Sequence, residues 1–273
     1  MTMSSLPTDA TRSPFDAVAD SYDQGFTFSK IGQAQRAAVW KELSRAFRSG
    51  DRVLEIGCGT GIDACFLAER GVSVVACDSS AAMIRIAERR VRQRRAHRVD
   101  LRLLSAEGLG RIQSEAPFDG IFSNFGALNC VEDLQAVARS LGHLLKPGGT
   151  ALLCFLGPSC FWEVFWYLLR GQPRKAFRRW HPGGVTATLA PGASLQVRYY
   201  GARSLARIFA PSLRLHSWTG IGLLVPPSYA ESAAKRISPL LKLAEWADSS
   251  LARCRVLRGF SDHILLRLER APS

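Results

Sequence analysis

Paired cysteines are missing from this 273-residue chain: its seven, at 58, 65, 77, 130, 154, 160 and 254, are odd in number, scattered and never spaced Cys-x-x-Cys. That excludes a disulfide framework and a zinc site, so no metal is expected and a reducing, cytoplasmic setting fits. Also missing is any run of about 18 uninterrupted apolar residues that would span a bilayer. The opening, MTMSSLPTDATRSPFD, lacks the basic-then-apolar order of a secretory leader, and the expectation is a soluble or membrane-peripheral protein. Internal repeats and low-complexity tracts are absent as well. Acids are scarce in one half only: residues 1–150 hold 19 Lys and Arg against 17 Asp and Glu, whereas residues 151–273 hold 17 against 6. Most of the net charge of +13 therefore belongs to the second half.

What is present suffices for a sizeable core, with 47% apolar residues and 9% aromatics. Short apolar or β-branched runs at 52–56, 72–77, 100–104, 118–122 and 149–155 alternate with helix-like segments at 62–70, 81–95 and 132–144. This βαβ spacing predicts an α/β, doubly wound, Rossmann-like parallel sheet with helices on both faces. LKPGG at 145–149 reads as the stop between a helix and the next strand. Upstream, 14–23 and 31–47 read as helices covering the open end of the sheet. Past Phe155 the pattern changes: 159–180 mixes bulky apolar with basic residues, and 185–200 reads as a two-stranded excursion around Pro191-Gly192. A helix at 203–210, strands at 213–218 and 263–269, and a helical region around 229–252 complete the reading.

The densest signal is RVLEIGCGTG at 52–61, where Gly57, Gly59 and Gly61 follow a strand containing one acid, Glu55. Glycines that end a strand and open a helix let a ligand lie against bare backbone near helix N-terminal amides. An acid about 20 residues beyond the first glycine takes ribose hydroxyls in such units, and Asp78 lies 21 positions after Gly57. Dinucleotide sites want Gly-x-Gly-x-x-Gly, whereas this chain has Glu-x-Gly-x-Gly-x-Gly.

At these residues the chain resembles the class I S-adenosylmethionine-dependent methyltransferases of small-molecule type, over about 14–155. The resemblance implies S-adenosyl-L-methionine as cofactor, with the glycines and Cys58 admitting its amino-acid end and Glu55 organising the loop and the cofactor ammonium group. It implies Tyr22 in FDAVADSYD as a lid residue, Asp78 as the ribose ligand, and Ser79 and Met83 as neighbours of the adenine. SAEGL at 105–109 carries Ser105 where the family has an acid, leaving Ala106 to offer its amide, with Glu107 beside it; Ser123 ends the fourth strand facing the cofactor. The organisation expected is 1–50 a helical lid, 51–157 the cofactor-binding core, 158–202 an inserted cap, and 203–273 the completion of the sheet with helical cover.

Methyl transfer from a sulfonium needs alignment above all, and a base only if the nucleophile arrives protonated. His263, in SDHILL, and His181, in the inserted region, are the candidates for that base; Asn124 and Asn129 are candidates to orient a substrate. The Asn-Pro-Pro-aromatic motif of nucleobase-amine methyltransferases is absent after Asn124. CFWEVFWYLLRGQPRKAFRRW at 160–180, aromatic then basic, has the composition of an interfacial helix, and IGLLVPP at 221–227 could wall a greasy pocket with it. These favour a small hydrophobic or lipid-like acceptor and peripheral contact with an anionic membrane. The arginine run at 85–98 reads as a solvated helix face. Two alternatives stay open: an RNA methyltransferase, on the basic second half, and a catalytically silent binding protein of the same fold.

Overall fold

The computed structural model describes residues 13–227, 238–252, 254 and 257–271. Five strands run parallel: β1 Arg52–Ile56, β2 Ser73–Asp78, β3 Val99–Leu103, β4 Phe118–Ser123 and β5 Leu145–Leu156. Two later strands, β8 Arg214–Ile221 and β9 His263–Glu269, join antiparallel, giving a seven-stranded sheet in the order β3-β2-β1-β4-β5-β9-β8. The order reverses between β1 and β4, and open α/β sheets bind ligands at the carboxyl end of such a reversal.

Helices α2 Lys30–Ala46, α3 Ile62–Ala68 and α4 Ala81–Gln93 cover one face of the sheet; α5 Leu134–Leu144 and α8 Ala202–Phe209 cover the other. The strands alternate accordingly. Leu54, Ile56, Ile121 and Leu153 pack toward α5 and α8, while Val53, Val74, Phe122 and Leu152 pack toward α2 and α3. Side-chain caps start three of these helices: Ser29 accepts the Gly32 N–H at 2.9 Å, Ser80 that of Met83 at 3.1 Å and Asp133 that of Ala136 at 2.9 Å. The short α1, Ala19–Tyr22, lies between a 3-10 turn at Pro14–Ala17 and a wider helical turn at Asp23–Thr27.

Residues 159–180 are not one helix. Helix α6, Phe161–Leu169, ends at Gly171, whose φ is +65°, and α7, Pro173–Ala176, starts afresh at the proline. A 3-10 turn at Arg178–Trp180 follows. Strands β6 Val185–Ala190 and β7 Ala193–Val197 form the hairpin around Pro191-Gly192. The LKPGG segment lies within β5 rather than before it, and the β4–β5 register shifts between Phe118 and Gly120 to accommodate it. Helix α9 covers Ser238–Leu251; the expected helical residues 229–237 lie outside the described residues.

Two buried side chains bind the cap to the sheet. Asn129 gives its Nδ2 to the carbonyls of Leu156, at 3.1 Å, and Arg198, at 2.6 Å, and its Oδ1 accepts the Leu156 N–H at 2.9 Å. Arg179 bridges Glu163 of α6 and Asp262 ahead of β9. Replacing Asn129 by Ala strands three buried backbone groups, and unfolding in urea is expected to show a loss of about 2–4 kcal/mol. A loss near zero would mean that water replaces all three bonds.

Candidate functional site

The glycine loop leaves β1 at the sheet's reversal point and enters α3. Gly57, Gly59 and Gly61 have φ of +72°, +52° and +75°, conformations that other residues rarely adopt. Their reasons differ. A Cβ on Gly57 would lie 2.4 Å from that of Ala127, and one on Gly61 2.9 Å from that of Ala87. Only at Gly59 would a Cβ meet nothing within 4 Å, so Gly59 is the glycine that faces ligand space. The others are required by packing.

Asp78, at the end of β2, receives the Gly59 N–H on Oδ2 and the Ser80 N–H on Oδ1, both at 2.8 Å. Each oxygen retains a lone pair for a ribose hydroxyl. Burial raises the Asp78 pKa above its ordinary 3.8, against the opposing pull of these amides. Glu55 is 1% exposed, and its Oε2 has no partner. Burial first, then the charge of Asp63, lifts its carboxyl well above the ordinary range, while the Ala64 N–H opposes the shift.

Asp63 was given no role by sequence reasoning. It lies in the first turn of α3 and accepts from Arg36 Nη1 at 2.5 Å, Trp40 Nε1 at 2.7 Å and Asn124 Nδ2 at 2.9 Å. The available signal was an acid among the apolar residues of IDACFLA, with Arg36 and Trp40 one helical turn apart upstream.

The N-terminal turns are latched over the loop. Asp16 accepts the Ser80 hydroxyl at 2.6 Å and the Ala82 N–H at 3.0 Å. Asp23 accepts the Thr60 hydroxyl at 2.7 Å and pairs with Arg90, which also donates to the Thr60 hydroxyl at 2.7 Å. Arg90 thus departs from the solvated arginine face expected of 85–98: it lies one helical turn from Ala87, on the side of α4 that meets the loop. Tyr22, between these latches, is partly buried, and loss of solvent around it pushes its phenol up to about 12.

The remaining expected cofactor neighbours divide. Met83 is buried in the first turn of α4, and Ser79 is exposed before it, 3.5 Å from the Ser13 hydroxyl. Ser105 and Ala106 open the 3-10 segment after β3; Glu107 is exposed and accepts the Glu132 N–H at 3.4 Å. Ser123 gives its hydroxyl to the Ile56 carbonyl at 2.8 Å, which joins β4 to β1. The Cys58 thiol is buried and held protonated, its pKa raised by desolvation.

Beyond β4, Phe125 has φ +50°, strained for a bulky residue. Its ring meets Phe26 edge-on at 5.0 Å and His263 edge-on at 5.6 Å, and the Arg36 guanidinium lies 4.7 Å above it. His263 opens β9 opposite Leu156, at the same sheet end as the glycine loop. Its Nδ1 is 3.3 Å from Asp262 Oδ2, and burial lowers its pKa below 6.5. His181 is exposed at the end of the cap's 3-10 turn. Asn124 donates to Asp63, with its Oδ1 unpaired; Asn129 gives both Nδ2 hydrogens to backbone carbonyls and its Oδ1 accepts the Leu156 N–H, so it has no donor left for an acceptor molecule. A groove of about 590 Å³ lies between α2, β8 and α9, lined by residues other than those of the glycine loop, Asp78, Phe125 and His263. Among the described residues no His, Cys, Asp and Glu cluster is arranged to hold a metal.

A family profile described as "Methyltransferase domain" matches residues 53–149. A demethylmenaquinone methyltransferase of Corynebacterium urealyticum is 32% identical over 169 residues, which are 59% of this chain and 68% of the relative. The chain belongs to the class I S-adenosylmethionine-dependent methyltransferases. The homologue of the same name in Clavibacter sepedonicus is 31% identical over 51% of this chain and 55% of its own length. The chain thus spans about half to two thirds of these relatives. The fold matches that of the CcbJ methyltransferase from Streptomyces caelestis, at TM-score 0.61 and 19% identity, over 95% of this chain and 98% of that one.

The residues of this methyltransferase fit S-adenosylmethionine: open space at Gly59, a carboxylate at Asp78 beside it suited to ribose hydroxyls, and an unpaired buried carboxylate oxygen at Glu55 suited to an ammonium group. Because the Glu55 carboxyl is raised in the free protein and an adjacent cation favours its ionised form, cofactor binding should release protons. Affinity should accordingly fall as pH drops through that raised pKa. Calorimetry in buffers of different ionisation enthalpy checks this; equal heats in all of them would contradict it, and Glu55→Gln should abolish the buffer dependence. By the same assay Gly59→Val should abolish binding. Asp78→Ala should weaken it by about tenfold to a hundredfold, for charge-assisted bonds of about 1.5–3 kcal/mol.

Proposed function

We propose that this methyltransferase acts on a small, hydrophobic, lipid-like acceptor, with His263 receiving the proton that the acceptor gives up. The aromatic wall of Phe26, Phe125 and His263, at the sheet end that carries the glycine loop, is the observation that carries this reading. The names of the relatives, which specify a lipid quinone, support it. When bound, S-adenosylmethionine supplies an electrophilic methyl group. Phe125 and Phe26 would hold a flat or greasy acceptor by its faces and exclude water. Asp262 Oδ2 stands 3.3 Å from Nδ1 without a hydrogen bond to it, and its charge favours the tautomer that carries the proton there, which leaves the lone pair on Nε2. Burial keeps the ring neutral at pH 7, as a base requires.

The cap supplies the entry side. Trp162 Nε1 donates to the Leu224 carbonyl at 3.0 Å, so α6 and the 221–227 segment form adjoining walls. The outer face of α6 is open: Phe161 is 46%, Phe165 45% and Leu169 68% exposed. Arg170 stacks on Trp166 at 4.1 Å, with exposed Arg174 and Lys175 following. Only two acids, Glu163 and Glu231, occur between Asp133 and Glu245, and Glu163 is buried. An apolar patch rimmed by basic groups fits an anionic bilayer, from which a lipophilic acceptor would enter. Arg178 and Arg179 do not contribute to this surface, since both are paired with Glu163. Each remaining basic residue is worth about 1 kcal/mol at such a surface.

With radiolabelled cofactor, we expect methyl incorporation into short-chain demethylmenaquinone, presented in its reduced form, and none into total RNA. His263→Gln should reduce turnover by about 10²–10⁴-fold with cofactor affinity unchanged. Incorporation into RNA at physiological salt, with none into the quinone, would replace this reading by the nucleic-acid one. Sedimentation with vesicles should show preference for anionic over neutral lipid, lost on replacing Arg170, Arg174 and Lys175 by Ser. Equal binding to both vesicle types would remove the membrane from the proposal.

A further inference from the structure

Arg179 is 6% exposed, and its guanidinium makes four hydrogen bonds and a further ion-pair contact inside the protein. Nε donates to Glu163 Oε2 at 3.0 Å; Nη1 donates to the carbonyls of Gly157, at 3.3 Å, and Asp262, at 3.1 Å. Nη2 reaches Asp262 Oδ1 at 2.7 Å and Glu163 Oε2 at 2.8 Å. These contacts converge on four acceptor atoms, Glu163 Oε2 taking two of them, drawn from the cap helix α6, the end of β5 and the residue ahead of β9. A buried ion triad is a poor way merely to fasten a cap, because apolar residues of similar volume commonly stabilise as well or better. Apolar packing cannot, however, hold an ionised carboxylate in one orientation beside a histidine. Asp262 is so placed: Oδ1 faces Arg179, while Oδ2 lies 3.3 Å from His263 Nδ1 and 3.4 Å from Gln35 Nε2.

We propose that Asp262 and Arg179 are positioning residues for His263 and that through them the cap, by way of Glu163, sets the orientation and proton affinity of the ring. The proposal rests on His263 as the proton acceptor of the function proposed above. It implies that the cap is coupled to the chemistry as well as covering it. An acceptor or bilayer that shifts α6 shifts Glu163, Arg179 and Asp262 with it; these three are joined by charge-assisted bonds, and Asp262 Oδ2 then lies 3.3 Å from the imidazole Nδ1, acting on it by charge and contact.

The charges around His263 give the proposal a sign. Asp262 on β9 favours the protonated ring, and Arg179 from the cap disfavours it; burial, the largest influence, also disfavours it. Glu163 is screened behind Arg179. From α2, Arg36 stands across Phe125 and is neutralised by Asp63. The nearby thiols of Cys154 and Cys160 are uncharged, burial having raised each pKa to about 12. Removing the charge of Asp262 must therefore lower the His263 pKa, and removing that of Arg179 must raise it.

The test is an NMR titration of the imidazole in the full-length protein, with His263 assigned among the five histidines by loss of its signal in His263→Gln. The wild-type ring should titrate below pH 6.5, and its nitrogen shifts should report the Nδ1–H tautomer. Asp262→Asn should move the midpoint to lower pH and weaken the tautomer preference; Arg179→Gln should move it to higher pH. If Arg179→Gln does not fold, Arg179→Lys keeps the charge but loses the fork, and should keep the midpoint while weakening the tautomer preference. The acid limb of kcat/KM with reduced demethylmenaquinone should follow the NMR midpoints in direction. Midpoints and tautomer unmoved by the Asp262 and Arg179 variants would overturn the inference. An acid limb that survives His263→Gln would instead overturn the base assignment, whatever the NMR shows.

Discussion

The buried carboxylate of Asp63 is the joint on which the rest of the site depends. It accepts from Arg36 and Trp40 of the lid helix and from Asn124 at the end of β4, while its own helix opens from the glycine loop. Three elements that meet nowhere else in sequence are thereby brought to one point. A buried charge so held is costly to expose, since removing one partner of such a pair typically costs about 3–5 kcal/mol. Everything nearer the ligand follows from it. Arg36, pinned on one side, lies over Phe125, and Phe125 in its strained conformation faces Phe26 and His263. The acid in the first turn of α3 also faces the positive end of that helix dipole.

Much of the molecule's apparent surplus of positive charge is structural. Arg90 ties the N-terminal turns to the glycine loop, Arg36 ties α2 to α3, and Arg178 and Arg179 tie the cap to itself and to the sheet. Guanidinium groups suit this use because they stay ionised when buried and present donors in a fixed fork. Within the cap, exposed Arg170 and Arg174 with Lys175 follow exposed Phe161, Phe165 and Leu169. The basic residues of 160–180 thus divide into an inner pair that ties the cap together and an outer group beside one apolar patch, while the exposed arginines of 85–98 form a separate face on α4.

The lid and the cap share this logic at opposite ends of the site. Asp16 and Asp23 clamp the N-terminal turns to α4 and Thr60, and the Arg179 bridge clamps α6 to β9. Each clamp is a small number of charge-assisted bonds rather than a broad apolar interface. Such bonds are directional and strong in a low-dielectric setting, and they hold position while leaving the faces between them free for ligands.

The order of strands and helices, the glycine loop, the acid Asp78 at the end of β2 and the hairpin around Pro191-Gly192 were legible in the sequence, because each is a local consequence of periodicity, turn chemistry or a fixed offset. The interfacial helix expected over 160–180 broke at Gly171 and Pro173, a stop that was also local. What the chain order could not show was which charges meet. Asp63 is 27 residues from Arg36 and 61 from Asn124, and Arg179 is 83 from Asp262. Asn129 carried a turn-like local context yet spends its amide on Leu156 and Arg198, 27 and 69 residues away. The three glycines read alike in sequence, and only packing separated Gly59, facing open space, from Gly57 and Gly61, pressed against Ala127 and Ala87. Backbone periodicity is written along the chain, whereas the partner of a buried charge is chosen by whichever distant element the closed sheet brings within hydrogen-bond reach, and that only the tertiary structure decided.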